Sequence, residues 1–454
     1  MSFVAALQGH VKALQPALPI ITPSDANWAA TKASFVNHES KTPAAIARPQ
    51  NAAHVQALVQ YCTKNGVEFA VRTGGHDAAG RNQVKGGLTI DMRDIKKVTI
   101  SADGKTATIG GGVLVRDLAT QLETRGLVTP VGSVGSVGYV GWATYGGYGL
   151  FGARYGLGVD QIVGAKIVDA KGELVEAAAD LLKGIRGAGG AFGVIVELTV
   201  KTYPLKQLLT SLVVYESSDM KATWTNYTAG YDKLVAEGGL PDSLMLQLFG
   251  MELPGLGKVL AVIATWVDDD HEEGKKWIAK VASFNNVIMN NPEPKTVSAY
   301  AAFNESMVVY GCHGRSYTLN LRRQKKSTAE LFAKFVDQLP GGGISMLVYN
   351  YRANAPRADS VFGAQDDHLL CEFLASTPMA EFEAKGAEWA RNAMVEIRKS
   401  EAENVLETAY ISLLADEDTD PKKIYGVHYD TVAALKKKYD PTNVFKHAVP
   451  RITV

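Results

Sequence analysis

His76 follows two glycines at the end of an apolar run, in Arg72-Thr73-Gly74-Gly75-His76-Asp77. A neutral imidazole on an exposed turn can act as nucleophile or base near pH 7. The plainer alternative is a histidine that caps nearby backbone. A second set, Tyr410, His428 and Tyr429, lies in ETAYISLLADED and IYGVHYD. A tyrosine beside a reacting alcohol can take its proton if a positive or electron-poor neighbour lowers its pKa. Two packed tyrosines at an interface account for the same pattern.

A third set is glycine-rich. Gly147-Tyr148-Gly149-Leu150-Phe151-Gly152 is formally GxGxxG, the phosphate turn of strand–turn–helix dinucleotide sites. The residues before it are too rich in glycine for a buried strand. Gly156 and Gly158 weaken a helix after it. A nicotinamide-type site is therefore disfavoured. Gly132, Gly135, Gly138, Gly141, Gly146, Gly147 and Gly149 can still present main-chain N–H groups to a phosphate without any helix. A tight crossing of two loops is the structural alternative. Asp268 to Glu273 resembles a metal cluster but reads better as the acidic start of a helix, and Lys436, Lys437 and Lys438 read as a solvated face. HExxH, GKS/T and GxSxG patterns are absent, which weakens metalloprotease, nucleotide hydrolase and serine hydrolase readings, and no metal site is expected.

These residues need elements to hold them. The chain has 454 residues, 46% hydrophobic and 21% charged, within globular norms and long enough for more than one core. Of its 44 glycines, 17 fall in residues 132–193, where an even spread would give about 6. Lys+Arg 47 balances Asp+Glu 47, so a nucleic-acid footprint and a bias toward anionic membranes are both absent. Three scattered cysteines, Cys62, Cys312 and Cys371, form no disulfide framework and fit a reducing compartment. With no basic leader and no apolar run near 20 residues, the expected location is cytoplasmic.

Up to about residue 205 strands alternate with helices. Asn51 is the expected N-cap and Gly66 the expected C-cap of a helix through HVQALVQYCTKN. Hairpins are expected at Asp103-Gly104 and Lys171-Gly172. From there LTSLVVYES, SLMLQLFGMEL, KVLAVIATWVD, SYTLNL and ISMLVYNYRAN read as strands, with polar helices between them. This predicts an α+β protein whose second part is an antiparallel sheet with helices on one face. The expected divisions are 1–205, 206–408 and a tail, 409–454.

In order along the chain, AIARPQNAAHVQALVQYCTKNGVEFAVRTGGHD, the IDMRDI to GLVTPVG stretch, YGGYGLFGARYGLGVDQIVGAKIVDAKGELVE, IRGAGGAFGVIVELTVKTYPL and YGVHYDTVAALKKKYDPTNVF resemble the FAD-linked oxidases of the vanillyl-alcohol oxidase superfamily, berberine bridge enzyme-like branch. The likeness covers residues 40–205 and 405–450 well and the middle in outline. It implies a two-lobed fold, with a PCMH-type FAD-binding domain completed by the tail and a substrate domain over the isoalloxazine ring. His76 stands where relatives bond the flavin's 8-methyl carbon. The resemblance assigns cofactor contacts to Arg72, Thr73, Gly74, Gly75, His76, Asp77, Gly132, Ser133, Gly135, Gly138, Gly141, Tyr145, Gly146, Gly149, Asp160, Gly193, Val194, Ile195, Val196, Tyr429 and Asn443. Many members add a cysteine link, but no cysteine lies between 63 and 311, so attachment through His76 alone is expected. The family's Tyr-x-Asn reads Tyr410-Ile411-Ser412, and its later Asn is His428. The implied activity is hydride removal from a small alcohol, amine, sugar or secondary-metabolite intermediate. Tyr410 or Tyr429 would serve as base and O₂ as acceptor. The alternative is a flavin-containing cyclase or isomerase with no net redox turnover.

Overall fold

The computed structural model describes residues 3–352, 355–414, 419–449 and 451–452. Its first part holds eleven strands: β1 (Ile20–Ile21), β2 (Ala45–Ala47), β3 (Phe69–Arg72), β4 (Leu88–Asp91), β5 (Val98–Ile100), β6 (Thr106–Gly110), β7 (Leu127–Val128), β8 (Ile162–Val168), β9 (Leu174–Glu176), β10 (Val194–Lys201) and β11 (Tyr203–Pro204). A four-stranded sheet runs β1-β2-β4-β3, with β4 parallel to both neighbours. A five-stranded antiparallel sheet runs β5-β6-β10-β8-β9, and β7 pairs with β11. The Ala52–Asn65 helix begins and ends as its sequence predicts. The Asn51 side chain accepts from the His54 N–H at 2.9 Å, and Gly66 turns left-handed at φ +64°. Both expected hairpins form, with Gly104 and Gly172 at positive φ.

The second part is one antiparallel sheet of eight strands. They are β12 (Leu208–Tyr215), β13 (Leu244–Leu253), β14 (Gly257–Trp266), β15 (Val287–Met289), β16 (Glu293–Lys295), β17 (His313–Leu321), β18 (Ser345–Tyr351) and β19 (His368–Thr377). The order is β15-β12-β14-β13-β18-β19-β17, with β16 also on β12. Alternation along each strand sends side chains to opposite faces. One face, with Leu246, Leu319, Val348, Cys371 and Phe373, packs on helices Met220–Ala236, His271–Ala282, Lys326–Asp337 and Glu383–Ser400. The other face, with Met245, Leu347, Tyr349, Tyr351 and Leu370, packs on Tyr148, Leu157, Phe362 and Tyr410.

Among the elements that the sequence reading does not contain, two bear on the site. Strand β19 alternates Leu369, Cys371, Phe373 and Ala375 on the helix side, but Glu372 interrupts what looks like an apolar run. The helix Val297–Ser306 is the other. Asp270 caps the His271–Ala282 helix by accepting from the Glu273 N–H, and Asp268 pairs with Arg154, which accounts for the acidic stretch. Among the described residues no helix is long and apolar enough to cross a membrane.

One expectation is overturned. Lys436 is not part of a solvated face. It is 1% exposed, donates to the Asp440 carboxylate at 2.6 Å and to the Ala191 carbonyl at 2.9 Å, and so pins the Tyr429–Tyr439 helix to the first part. Asp440 in turn accepts from the Val444 and Phe445 N–H groups. Lys437 and Lys438 do stay exposed. Removing one member of a buried pair leaves an unpaired charge, so Asp440→Ala is expected to cost about 3–5 kcal/mol. Lys437→Ala should stay within about 0.5 kcal/mol, and urea unfolding midpoints measure both.

Candidate active site

The turn after β3 and the 132–138 loop meet main chain to main chain. A Cβ on Gly74 would fall 2.6 Å from the Ser136 carbonyl oxygen and closer still to the Gly138 nitrogen. A Cβ on Gly138 would strike Thr73 and the Gly74 nitrogen. Only glycine permits this approach. The Thr73 hydroxyl donates to the Gly111 carbonyl, and Gly75 takes φ +77°. The approach brings His76 Nε2 within 2.9 Å of the Ser136 hydroxyl. The ring stacks on Phe35 with centroids 5.3 Å apart and meets Tyr310 edge-on. Burial holds its pKa down at about 4, so the ring is neutral at pH 7. Among the described residues Nδ1 has no hydrogen bond.

Other predicted residues separate into two groups. Some have side chains committed to the protein itself. Arg72, 1% exposed, pairs with Asp91 at 2.6 Å and donates to the Thr31 and Lys32 carbonyls. The Asp160 carboxylate accepts from the Leu157 and Ala358 N–H groups. Val194, Ile195 and Val196 bury their side chains in the core on both faces of β10. For these residues only main chain is left to face a ligand. Gly135 donates its N–H to the Ala301 carbonyl of the helix missed in the sequence, and Arg116 bonds Glu305 beside it. Gly132 abuts Trp142, and Gly193 abuts Ile167 and the Val168 carbonyl. Asp77 accepts from Arg81 Nε at 2.8 Å, and Arg81 donates onward to the Ile411 carbonyl at 3.1 Å.

The remaining residues leave room for a guest. A Cβ on Gly141 or Gly190 would meet nothing within 4 Å. The Gly190 N–H donates to the Tyr145 hydroxyl. Asn443, at φ +54°, keeps a buried Oδ1 with no partner. Open cradles beside glycine, an orphaned acceptor and an unbonded imidazole nitrogen fit a bound dinucleotide.

The glycine loop then reaches the sheet. A Cβ on Gly146 would lie 3.3 Å from the Tyr410 ring and 2.7 Å from Phe362. Gly149 closes on the Val131 carbonyl. Ser133 is linked to the sheet through Gln247, whose Oε1 accepts from the Tyr300 hydroxyl. Tyr410 and Tyr148 meet edge-on with centroids 5.0 Å apart. The Tyr148 hydroxyl lies 2.7 Å from His368 Nε2, and His368 Nδ1 lies 2.7 Å from the Asp366 carbonyl. A carbonyl can only accept, so Nδ1 carries the proton and Tyr148 donates to Nε2. Glu372, on the same face of β19 as Leu370, completes the cluster. Burial raises its pKa to about 8, and among the described residues no donor or cation pairs with its carboxyl. Burial also pushes Tyr410 up, with the Ser412 side chain opposing. Tyr429 starts the C-terminal helix with Lys422 Nζ 5.7 Å from its ring centre, and its described contacts lie outside this cluster. The sequence reading singled out neither Glu372 nor His368. Their signal was the overlooked alternation of β19.

Comparisons with known proteins agree with this geometry. Residues 43–178 match the family model described as FAD binding domain. FAD-linked oxidoreductase aurO of Gibberella zeae is 32% identical over 443 residues, spanning 96% of this chain and 86% of that protein. (R)-6-hydroxynicotine oxidase of Paenarthrobacter nicotinovorans is 34% identical over 204 residues, 44% of each chain. Among solved structures, wild-type BBE-like 1 of Physcomitrella patens superposes with TM-score 0.83 at 18% identity, covering 99% of this chain and 100% of that one. Glucooligosaccharide oxidase of Acremonium strictum, described with a 6-S-cysteinyl, 8α-N1-histidyl FAD, superposes with TM-score 0.82 at 19% identity, covering 97% of each. With a near-full-length relative at 32% identity and an FAD-binding segment, the chain belongs to the FAD-linked oxidoreductases.

Proposed function

We propose that the protein oxidises a small organic molecule at a carbon bearing a hydroxyl or amine, with its flavin attached through His76 alone and dioxygen as final acceptor. The observation that carries the reading is the buried meeting of Glu372, Tyr410, Tyr148 and His368 against Gly146 of the glycine loop. When bound, FAD supplies the two-electron acceptor for the substrate's hydride. The chain's part is to hold the substrate and move its proton. Ionised Glu372 takes the O–H or N–H proton, since its raised pKa lies close to working pH. Tyr410, kept protonated by burial, donates a hydrogen bond to the substrate heteroatom. This revises the sequence-based choice of Tyr410 or Tyr429 as base.

Neutral His76 with an unbonded Nδ1 supports its role as the attachment point. The absence of cysteine between 63 and 311 supports a single link. Residues 1–205 with the tail 409–454 form the flavin lobe of this proposal, and 206–408 the substrate lobe. In its support, the tail bonds back to residues 180–191 through Tyr439, Lys436 and Tyr425.

The purified protein is expected to be yellow and to stay yellow through acid denaturation and washing. His76→Ala should release its colour into the supernatant. Release from the unaltered protein would sink the link, and a colourless protein would sink flavin use altogether. In anaerobic mixing with substrate, a lasting bleach supports oxidation, and product without it supports the non-redox alternative.

Flavin reduction should rise with pH through about 8 as Glu372 ionises, and Glu372→Gln should remove that rise and slow reduction by roughly 100-fold or more. The same group makes a stability prediction. Its folded pKa lies above the ordinary 4.5, so the unfolded chain releases this proton first. Its contribution to stability therefore falls as pH climbs from 4.5 to about 8. Melting curves of Glu372→Gln should show that decline reduced.

A further inference from the structure

We propose that the substrate's body is an uncharged, mainly apolar ring compound such as a fused-ring phenol, and that it occupies a cavity between the end of the eight-stranded sheet and the His76 turn. The claim that this ligand is the substrate rests on the oxidase reading above; its chemical class rests on the cavity. That space, about 730 Å³, lies between Phe35, the β13–β14 hairpin tip, the 307–312 segment and the ends of β17, β18 and β19. It falls within the range of about 300–1,000 Å³ typical of small-ligand sites.

Its position ties it to the site. Phe35 lines the cavity and stacks on His76 with ring centroids 5.3 Å apart. Phe35 donates its N–H to the Gly75 carbonyl, and the Tyr310 hydroxyl bonds the Gly74 carbonyl, so the wall and the flavin turn are one unit. Leu374 lines the cavity and lies two residues beyond Glu372 on the same strand and face, about 7 Å along β19. A lining residue of the cavity thus lies about 7 Å along β19 from the proton acceptor of the oxidase reading, within the length of a two- or three-ring molecule.

Its lining sets the ligand class. Phe35, Leu253, Met307, Val309, Leu374 and Met379 provide apolar surface. Met307 and Val309 remain 63% and 53% exposed at the mouth, where methionine adapts to flat rings. Among the described lining residues Glu252 alone is charged, which disfavours anions. Its polar side chains are Ser316 and Ser376, which share a 3.4 Å contact, with Ser345 and Glu252, a small set for a polyhydroxylated ligand. A sugar held here would strand most of its hydroxyls.

The test uses the protein as purified and isothermal calorimetry, with 1-naphthol and cellobiose as probes. Saturable 1-naphthol binding is expected, with none for cellobiose. Met379→Asp at the exposed rim and Leu374→Asp inside should each weaken 1-naphthol at least 10-fold with unchanged circular dichroism. Should Leu374→Asp fail to fold, Met379→Asp alone decides. Saturable cellobiose binding without naphthol binding, or naphthol binding indifferent to Met379→Asp, would overturn the proposal. Failure of the oxidase reading is seen separately, as a colourless protein or a flavin that no substrate bleaches.

Discussion

The site rests on a contact between two stretches of main chain. Where Gly74 and Gly138 face each other there is no room for a Cβ on either side. This approach sets the distance between the His76 turn and the Ser136 hydroxyl. Burial then does the rest for the imidazole, stripping it of charge and leaving one nitrogen unbonded. Side chains such as Arg72 and Asp160, which look functional in sequence, are spent on bracing the loops. They matter because the loops must hold still, with main-chain amides available to a ligand.

The second half meets this frame with one face of a sheet. The same alternation that sends Cys371 and Phe373 into the helices sends Leu370 and Glu372 toward the glycine loop. Glu372 is destabilising as an isolated buried carboxyl, the kind of local cost that structures retain at functional sites. His368, locked as one tautomer by the Asp366 carbonyl, orders Tyr148 next to Tyr410. Acidic, phenolic and imidazole groups thus share one water-poor corner.

Much of this was legible in the sequence where the signal was local. Asn51 and Gly66 bracket their helix because capping depends on neighbours in sequence. The concentration of glycine at 132–193 marked a region of close backbone approach. What was not legible depended on long-range pairing. Glu372 sits in a strand whose charge hides its period, and only the partners β17 and β18 show which face it takes. Lys436 looked like one of three solvent lysines because its partner carbonyl, Ala191, is 245 residues away. Tyr410 stands out by its motif, yet the burial that keeps its proton in place comes from distant residues such as Tyr148 and Phe362.

The guanidinium of Arg81 joins Asp77, beside the His76 turn, to the Ile411 carbonyl, 330 residues later. Lys436 and Asp440 lock the final helix in the same sense. Residues 411 and 436 are thus tied to partners 330 and 245 positions earlier in the sequence. During synthesis their partners emerge first, and neither tie can form until residues 411–436 follow. A chain cut before residue 411 would keep both large sheets and lose both of these ties.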